Sequence, residues 1–250
     1  SSGSDMNGMA AQAAARTIKQ RLTDFAASLY QANVEDVVWL PNRVRVGNEE
    51  IAFKDLVKQA YLARVSLSST GYYATPKIHY DRENCKGRPF YYFAYGAAVT
   101  EVLLDTLTGE NKLTRVDIIH DVGKSLNPAI DLGQIEGAYV QGVGWLTTEE
   151  LWWDDKGRLR THAPSTYKIP ACSDRAEDFR VKLWEKGKNA EETIYCSKAV
   201  GEPPLMLGIS AFHALSDAVA SVSDYKKYPD LDAPATAERL LMAIEKAKTV

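Results

Sequence analysis

The spacing of apolar positions predicts helices in five parts of the chain. In these parts apolar residues recur three and four positions apart, which places them on one face of a helix. Two of the segments also carry helix-start signals, because Asn127 precedes Pro128 and a pair of prolines opens the segment at 203. The predicted helices are 6–30, a segment around 56–61, 127–148, 203–222 and 233–244.

Other parts of the chain are rich in aromatic and β-branched residues or alternate between apolar and polar positions, which favours strands. The clearest pair is a long run from Phe90 to Leu104 and a second run from Leu113 to Ile119, joined by a turn at 107–110. The predicted strands are 34–40, 43–46, 90–104, 113–119, 151–153 and 179–184. The pattern therefore predicts helices mixed with short sheets.

Composition narrows the class of protein. The chain has 250 residues, of which 45% are hydrophobic and 25% charged, typical of soluble globular proteins with one large domain or two small ones. The formal net charge of -3 gives no reason to expect nucleic acid or an anionic membrane as a partner. No stretch approaches the roughly 18 apolar residues of a membrane span, and the N-terminus lacks a signal-peptide pattern. We therefore expect a cytoplasmic location.

Cysteines and histidines give no sign of a disulfide framework or a protein metal site. Cys85, Cys172 and Cys196 form no C-x-x-C pair, which suits reduced thiols, and the four histidines share no ligand spacing. Because the chain begins without methionine, we also expect it to be part of a longer polypeptide.

Two segments carry candidate chemistry, and the first is the glycine-rich helix 127–148. Gln134 and Gln141 are seven residues apart and share a face that Gly137 and Ala138 leave bare. A large flat ligand with hydrogen-bonding edges could lie on that face. The alternative is that the glycines only allow another helix or strand to cross closely.

The second segment is 197–204, in which Glu202 follows Gly201 and precedes two prolines. Proline fixes the backbone and glycine lets it approach a ligand, so the carboxylate is placed as a general base must be. The alternative is a glutamate that the helix dipole favours. Lys198 is either a catalytic cation or an anchor for the loop, and Cys196 is either a reactive thiol or a buried strand residue.

These segments resemble those of a known family, the xanthine dehydrogenases, in their molybdenum-binding part. The resemblance runs in order from about Ser1 to Val222, and the string Ser165 to Ala171 is more similar to xanthine dehydrogenases than to aldehyde oxidases. The segments that carry the resemblance are 71–76, 89–96, 125–131, 133–138, 164–171 and 198–205.

The resemblance implies an α+β fold with mixed sheets and packed helices, the C-terminal half of a molybdopterin-binding domain. That half would cover residues 1–250, with a core of 1–224 and a loop and terminal helix in 225–250. It further implies that hypoxanthine is oxidised to xanthine and xanthine to urate, with oxygen from water. Glu202 would remove a proton from a molybdenum-bound hydroxide. Residues implied to contact the molybdenum-pyranopterin cofactor are Gln134, Lys198, Ala199, Val200, Gly201, Ser1, Ser2 and Gly3.

The metal would be held by the cofactor's dithiolene, so the resemblance implies no metal ligand on this chain. It also implies partners: the N-terminal half of the molybdenum domain, which binds the purine, and 2Fe-2S clusters and FAD on other domains or subunits that pass electrons to NAD. The chain would thus belong to a hetero-oligomer and be inactive alone. Two alternatives stay open, namely another molybdenum hydroxylase acting on aldehydes or N-heterocycles, and a non-catalytic assembly module.

Overall fold

The computed structural model describes residues 3–249, which divide into two compact units, 3–91 and 92–249. In the first unit, the N-terminal unit, the helices are α1 (Gly3–Leu29) and α2 (Phe53–Leu62). Its strands are β1 (Val37–Leu40), β2 (Arg43–Val46), β3 (Glu49–Ala52), β4 (His79–Asp81) and β5 (Lys86–Arg88).

The N-terminal unit holds a small antiparallel sheet packed against a helix. Strands β1, β2 and β3 pair in sequence order, and β4 pairs with β5 in a separate ribbon. Strand β2 alternates between exposed and buried positions, which puts Val44 and Val46 in a core with Ala26 of α1 and Leu56 of α2. The helix 6–30 and the hairpin at 34–46 are thus confirmed, whereas β3, β4 and β5 were not predicted.

The second unit, the C-terminal unit, contains three α-helices and a three-stranded mixed sheet. Its strands are β6 (Gly96–Leu104), β7 (Asn111–His120) and β8 (Asp178–Leu183), and its helices are α3 (Pro128–Thr147), α4 (Ile209–Ser221) and α5 (Ala237–Lys248). Strand β7 is central, antiparallel to β6 and parallel to β8. Because a parallel pair needs a long crossover, α3 lies between β7 and β8 in the chain. The predicted mixed α+β fold is confirmed.

One face of this sheet forms the main core of the C-terminal unit. Val116 and Ile118 of β7 pack with Ile135 and Tyr139 of α3 and with Ala211 of α4. The Tyr139 side chain is fully buried and its hydroxyl lies 2.6 Å from the Thr100 hydroxyl, so its polar end is satisfied. A second core joins α4 to α5. The sheet and α3 therefore form a rigid base for the loops at the end of β7.

Two predicted boundaries and one predicted strand are wrong, because residue composition alone does not show which residues pair in a sheet or which residue caps a helix. The run from Phe90 becomes a strand only at Gly96, and the stretch 151–153 makes only an isolated bridge between Trp153 and Leu159. The last helix begins at Ala237, where the Thr236 side chain accepts a hydrogen bond from a backbone N–H. Helix 203–222 is confirmed, with a first part, 203–208, wound as a 3-10 helix.

Within residues 3–249, no helix has both the length and the apolar character to cross a bilayer.

Candidate functional site

The segment 197–202, called here the base loop, lies against the end of β7. Ser197 forms a short antiparallel bridge with Gly123, and the Lys198 backbone N–H donates to the Val122 carbonyl at 2.7 Å. The base loop thus pairs, as a strand would, with the residues that follow β7 in the chain. This contact brings together two segments that are more than seventy residues apart in sequence.

Gly123 makes this contact possible. Its φ of +63° lies in the left-handed region, and a Cβ at this position would lie 2.5 Å from the Cys196 carbonyl oxygen and 2.9 Å from the Ser197 carbonyl carbon. Both neighbours are backbone atoms, which cannot rotate away. Only glycine fits without moving the base loop.

The start of the base loop is held by buried polar side chains. The Ser197 carbonyl accepts hydrogen bonds from Thr193 Oγ1 at 2.6 Å and Asn189 Nδ2 at 3.0 Å, while Ser197 Oγ donates to the Ile194 carbonyl at 2.8 Å. Ser197, Thr193 and Asn189 are all buried. Satisfied buried hydrogen bonds of this kind fix a single backbone conformation.

Cys196 is not the buried strand residue that one interpretation predicted. It ends a short 3-10 turn, is half-buried, and has a φ of +61° next to a φ of +50° at Tyr195. Two adjacent non-glycine residues in the left-handed region are unusual and cost energy that the surrounding hydrogen bonds must offset. The surrounding hydrogen bonds therefore impose the backbone conformation of this turn.

The Lys198 side chain points into the protein and pairs with Asp121. Its ammonium nitrogen lies 2.6 Å from Asp121 Oδ2 and 4.9 Å from the centre of the Tyr95 ring. The side chains of Lys198 and Asp121 are only 7% and 15% exposed. Of the two roles left open for Lys198, these contacts favour an anchor for the loop.

Beyond Lys198, the base loop turns outward. The Ala199 N–H donates to the Tyr92 hydroxyl at 2.7 Å, but the N–H groups of Val200 and Gly201 form no hydrogen bond with any residue of 3–249. Gly201 and Glu202 are exposed, and the Glu202 side chain does not cap the 3-10 helix that follows it. The outer part of the loop thus holds two backbone N–H groups without a partner among the described residues, next to an exposed glutamate.

Helix α3 has one packed side and one open side. The backbone of the 203–208 segment crosses it so closely that a Cβ on Gly142 would lie 2.2 Å from the Leu205 carbonyl oxygen. On the other side a Cβ on Gly133 or Gly137 would meet nothing within 4 Å, and Gln134 is exposed there. The close-crossing explanation therefore holds for the late glycines of α3 and not for the early ones.

The structure places the predicted site residues in two groups. Gln134 and the stretch Lys198 to Glu202 lie in the C-terminal unit, whereas Gly3 is the first residue of α1 in the N-terminal unit and is exposed. Ser1 and Ser2 lie outside the described residues.

Sequence reasoning missed the residues that hold the base loop, chiefly Asp121, Gly123 and Tyr92. An aspartate and a glycine two and four residues after the predicted strand 113–119 are a turn signal that could have indicated a turn at Asp121 and Gly123. Among the described residues, no group of three or more His, Cys, Asp or Glu side chains is arranged to hold a metal ion.

His120, the last residue of β7, is buried beside the ion pair of Asp121 and Lys198. It is 2% exposed, and its Nδ1 has no hydrogen-bond partner within residues 3–249. Burial holds the pKa of His120 below its ordinary value, the nearby Asp121 opposes this shift, and Lys198 adds to it. The imidazole is therefore neutral in the folded protein at neutral pH.

A lowered histidine pKa predicts that stability falls in acid. Below about pH 6.5 the unfolded chain binds a proton at His120 that the folded chain excludes, so the free energy of unfolding decreases as pH falls toward the folded-state pKa. We expect His120→Asn to lose less thermal stability than the unmodified protein between about pH 7 and about pH 5.5. The exposed His162→Asn is the control, and equal losses in all three proteins would contradict the prediction.

The chain matches a family model described as the molybdopterin cofactor-binding domain, over residues 1–176. It is 45% identical over 242 residues to a xanthine dehydrogenase/oxidase of Felis catus, covering 94% of this chain and 17% of that protein. A xanthine dehydrogenase of Oryza sativa subsp. japonica is 46% identical over 207 residues, covering 79% of this chain and 15% of that protein. The chain thus spans about one sixth of the length of these curated relatives.

Solved structures show the same fold. A reconstituted CO dehydrogenase from Oligotropha carboxidovorans aligns with a TM-score of 0.75 and 22% identity, over 94% of this chain and 28% of that one. Quinoline 2-oxidoreductase from Pseudomonas putida 86 aligns with a TM-score of 0.72 and 23% identity, over 93% of this chain and 28% of that one.

Proposed function

Because this chain belongs to the molybdopterin cofactor-binding domain family, and its predicted resemblance to xanthine dehydrogenases is confirmed, we propose that it forms part of the cofactor site of a molybdenum hydroxylase. The reaction proposed is the oxidation of hypoxanthine to xanthine and of xanthine to urate, with water as the oxygen source. One observation carries the proposal: the exposed Glu202 follows two backbone N–H groups that have no partner within residues 3–249, on a loop whose inner end is held by a buried ion pair.

The residues of this chain fit a molybdenum-pyranopterin cofactor. The N–H groups of Val200 and Gly201, which have no partner within residues 3–249, are donors for the acceptor atoms of a pterin. The open face of α3 at Gly133 and Gly137 admits a flat group, and the Gln134 amide on that face can donate and accept hydrogen bonds. When bound, the cofactor supplies a metal that activates water and accepts the electrons of the oxidation.

Glu202 is proposed as the general base. Its carboxylate follows Gly201 at the outer end of the base loop, and Pro203 with the buried Pro204 fixes the backbone on its other side. A base placed in this way accepts the proton that water loses when its oxygen attacks the electron-poor carbon of the purine. Lys198 and Ala199 hold the inner end of the loop through Asp121 and Tyr92.

The remaining parts of the site are proposed on the family resemblance. Ser1, Ser2 and Gly3 would contact the pterin, and residues 1–250 would form the C-terminal part of the cofactor domain. The N-terminal half of that domain would bind the purine, and 2Fe-2S clusters and FAD on other domains or subunits would carry electrons to NAD. Because this chain spans about one sixth of its relatives, we expect it to be inactive alone.

The test uses the complete protein that contains this chain. Its molybdenum and pterin content is measured, and its initial rates are compared with xanthine, hypoxanthine, an aromatic aldehyde and nicotinate. We expect stoichiometric cofactor and the highest kcat/KM with the two purines. Full cofactor with preference for the aldehyde or nicotinate would replace the purine reaction by another hydroxylation. A correctly folded protein without molybdenum or pterin would indicate an assembly module and contradict the proposal.

A further inference from the structure

We propose that Asp121 and Lys198 are a positioning pair that sets the place of Glu202. The inference rests on the proposed function, and it adds Asp121 to the residues on which the reaction depends. Asp121 lies directly after β7, and Glu202 lies four residues after Lys198. The two side chains would act on the reaction only through the base loop, because the Lys198 ammonium is turned toward Asp121.

Asp121 is held in place by contacts other than the one with Lys198. Its backbone N–H donates to the Tyr95 carbonyl at 2.8 Å, and its Oδ1 accepts the Gly123 N–H at 2.8 Å. Its other oxygen, Oδ2, accepts from the Lys198 ammonium at 2.6 Å. Each carboxylate oxygen of Asp121 therefore has a donor. Because Asp121 is held at the end of β7, its position determines the direction of the Lys198 side chain.

The base loop is fixed at both ends and short between them. At the inner end Lys198 is held by its side chain and by its backbone N–H on Val122. At the outer end Pro203 and the buried Pro204 restrict the backbone. Only Ala199, Val200, Gly201 and Glu202 lie between these fixed points, so a shift of Lys198 is transmitted to the carboxylate.

Stability alone does not explain why this pair is ionic. A buried ion pair loses most of its Coulomb attraction to the cost of removing two charges from water, and an apolar pair of similar volume is often as stable. What the ion pair provides is direction, because its hydrogen-bond geometry allows few arrangements of the lysine side chain. Lys198 has no other acidic partner among the ion pairs of the described residues.

The test compares four variants of the complete protein: Asp121→Asn, Lys198→Met, the double variant carrying both, and the conservative Lys198→Arg. For each, the thermal midpoint, the molybdenum content, kcat and KM per bound molybdenum, and hydrogen exchange in the peptide 197–202 are measured. Each single variant leaves a buried charge without its partner and is expected to lower the midpoint, whereas the double variant removes both charges and recovers it.

If the pair positions Glu202, the double variant recovers stability but not rate. We expect kcat per bound molybdenum to stay at least about 10-fold low with KM little changed, and exchange in 197–202 to be faster. Lys198→Arg, which keeps the ion pair, should retain most of the rate. Recovery of kcat together with the midpoint, or unchanged exchange in 197–202, would show a purely structural pair. Failure of the proposed function is distinguishable from failure of this inference, because Glu202→Gln would keep the full rate only if Glu202 is not the base.

Discussion

Gly123→Ala is expected to displace the base loop and remove most of the activity of the assembled protein. Alanine at a φ of +63° costs about 1–2 kcal/mol, and a Cβ 2.5 Å from the Cys196 carbonyl oxygen adds an overpacking cost of about 1–3 kcal/mol. The loop cannot yield cheaply, because Ser197 and Lys198 are bonded on its other side. We therefore expect the free energy of unfolding to fall by about 2–5 kcal/mol.

Gly157→Ala is the matched control for this substitution. Gly157 also has a positive φ, +71°, but a Cβ there would meet nothing within 4 Å. Alanine at Gly157 has the same backbone strain without the contact, so we expect a loss of only about 1–2 kcal/mol and an unchanged rate per bound molybdenum. Denaturant unfolding and steady-state rates measure both effects. Equal behaviour of the two variants would mean that contact with the base loop has no part in the site.

The elements that sequence predicted well are those whose pattern is local. Helix α3 has its capping Asn127 and first-turn proline, and the β6–β7 hairpin has its turn at 107–110, so each is specified within a short stretch. The parallel pairing of β7 with β8 depends on residues about sixty positions apart, which no periodicity shows. The aromatic stretch 90–95 has strand propensity but is held outside the sheet, where Tyr92 binds the Ala199 N–H.

The same distinction applies to the site. Glu202 and Gln134 stand out in the sequence because glycines and prolines surround them, and the structure places both at the surface of the C-terminal unit. Asp121 could not be assigned a role, because its partner Lys198 is 77 residues away. The packed and open glycines of α3 are also alike in sequence, and only the crossing of the 203–208 segment separates Gly142 from Gly137.

Glu202→Gln tests the role of the carboxylate with the smallest change in shape. Glutamine keeps the size and the hydrogen-bonding reach of glutamate but cannot accept the proton of the attacking water. The base loop is held at Lys198 by Asp121 and at Ser197 by Asn189 and Thr193, and the substitution leaves these bonds in place. We therefore expect the fold and the cofactor content to survive. Glu192→Gln, the same chemical change at an exposed position ahead of the loop, is the matched control.

The most direct measurement of the central claim is the rate of urate formation from xanthine, per bound molybdenum, in the complete protein carrying Glu202→Gln. If this chain supplies the general base, that rate falls by about 10²-fold or more while molybdenum and pterin content stay normal and Glu192→Gln keeps the full rate. An unchanged rate with full cofactor loading would contradict the account, and Glu202 would then be a surface residue at the start of a 3-10 helix.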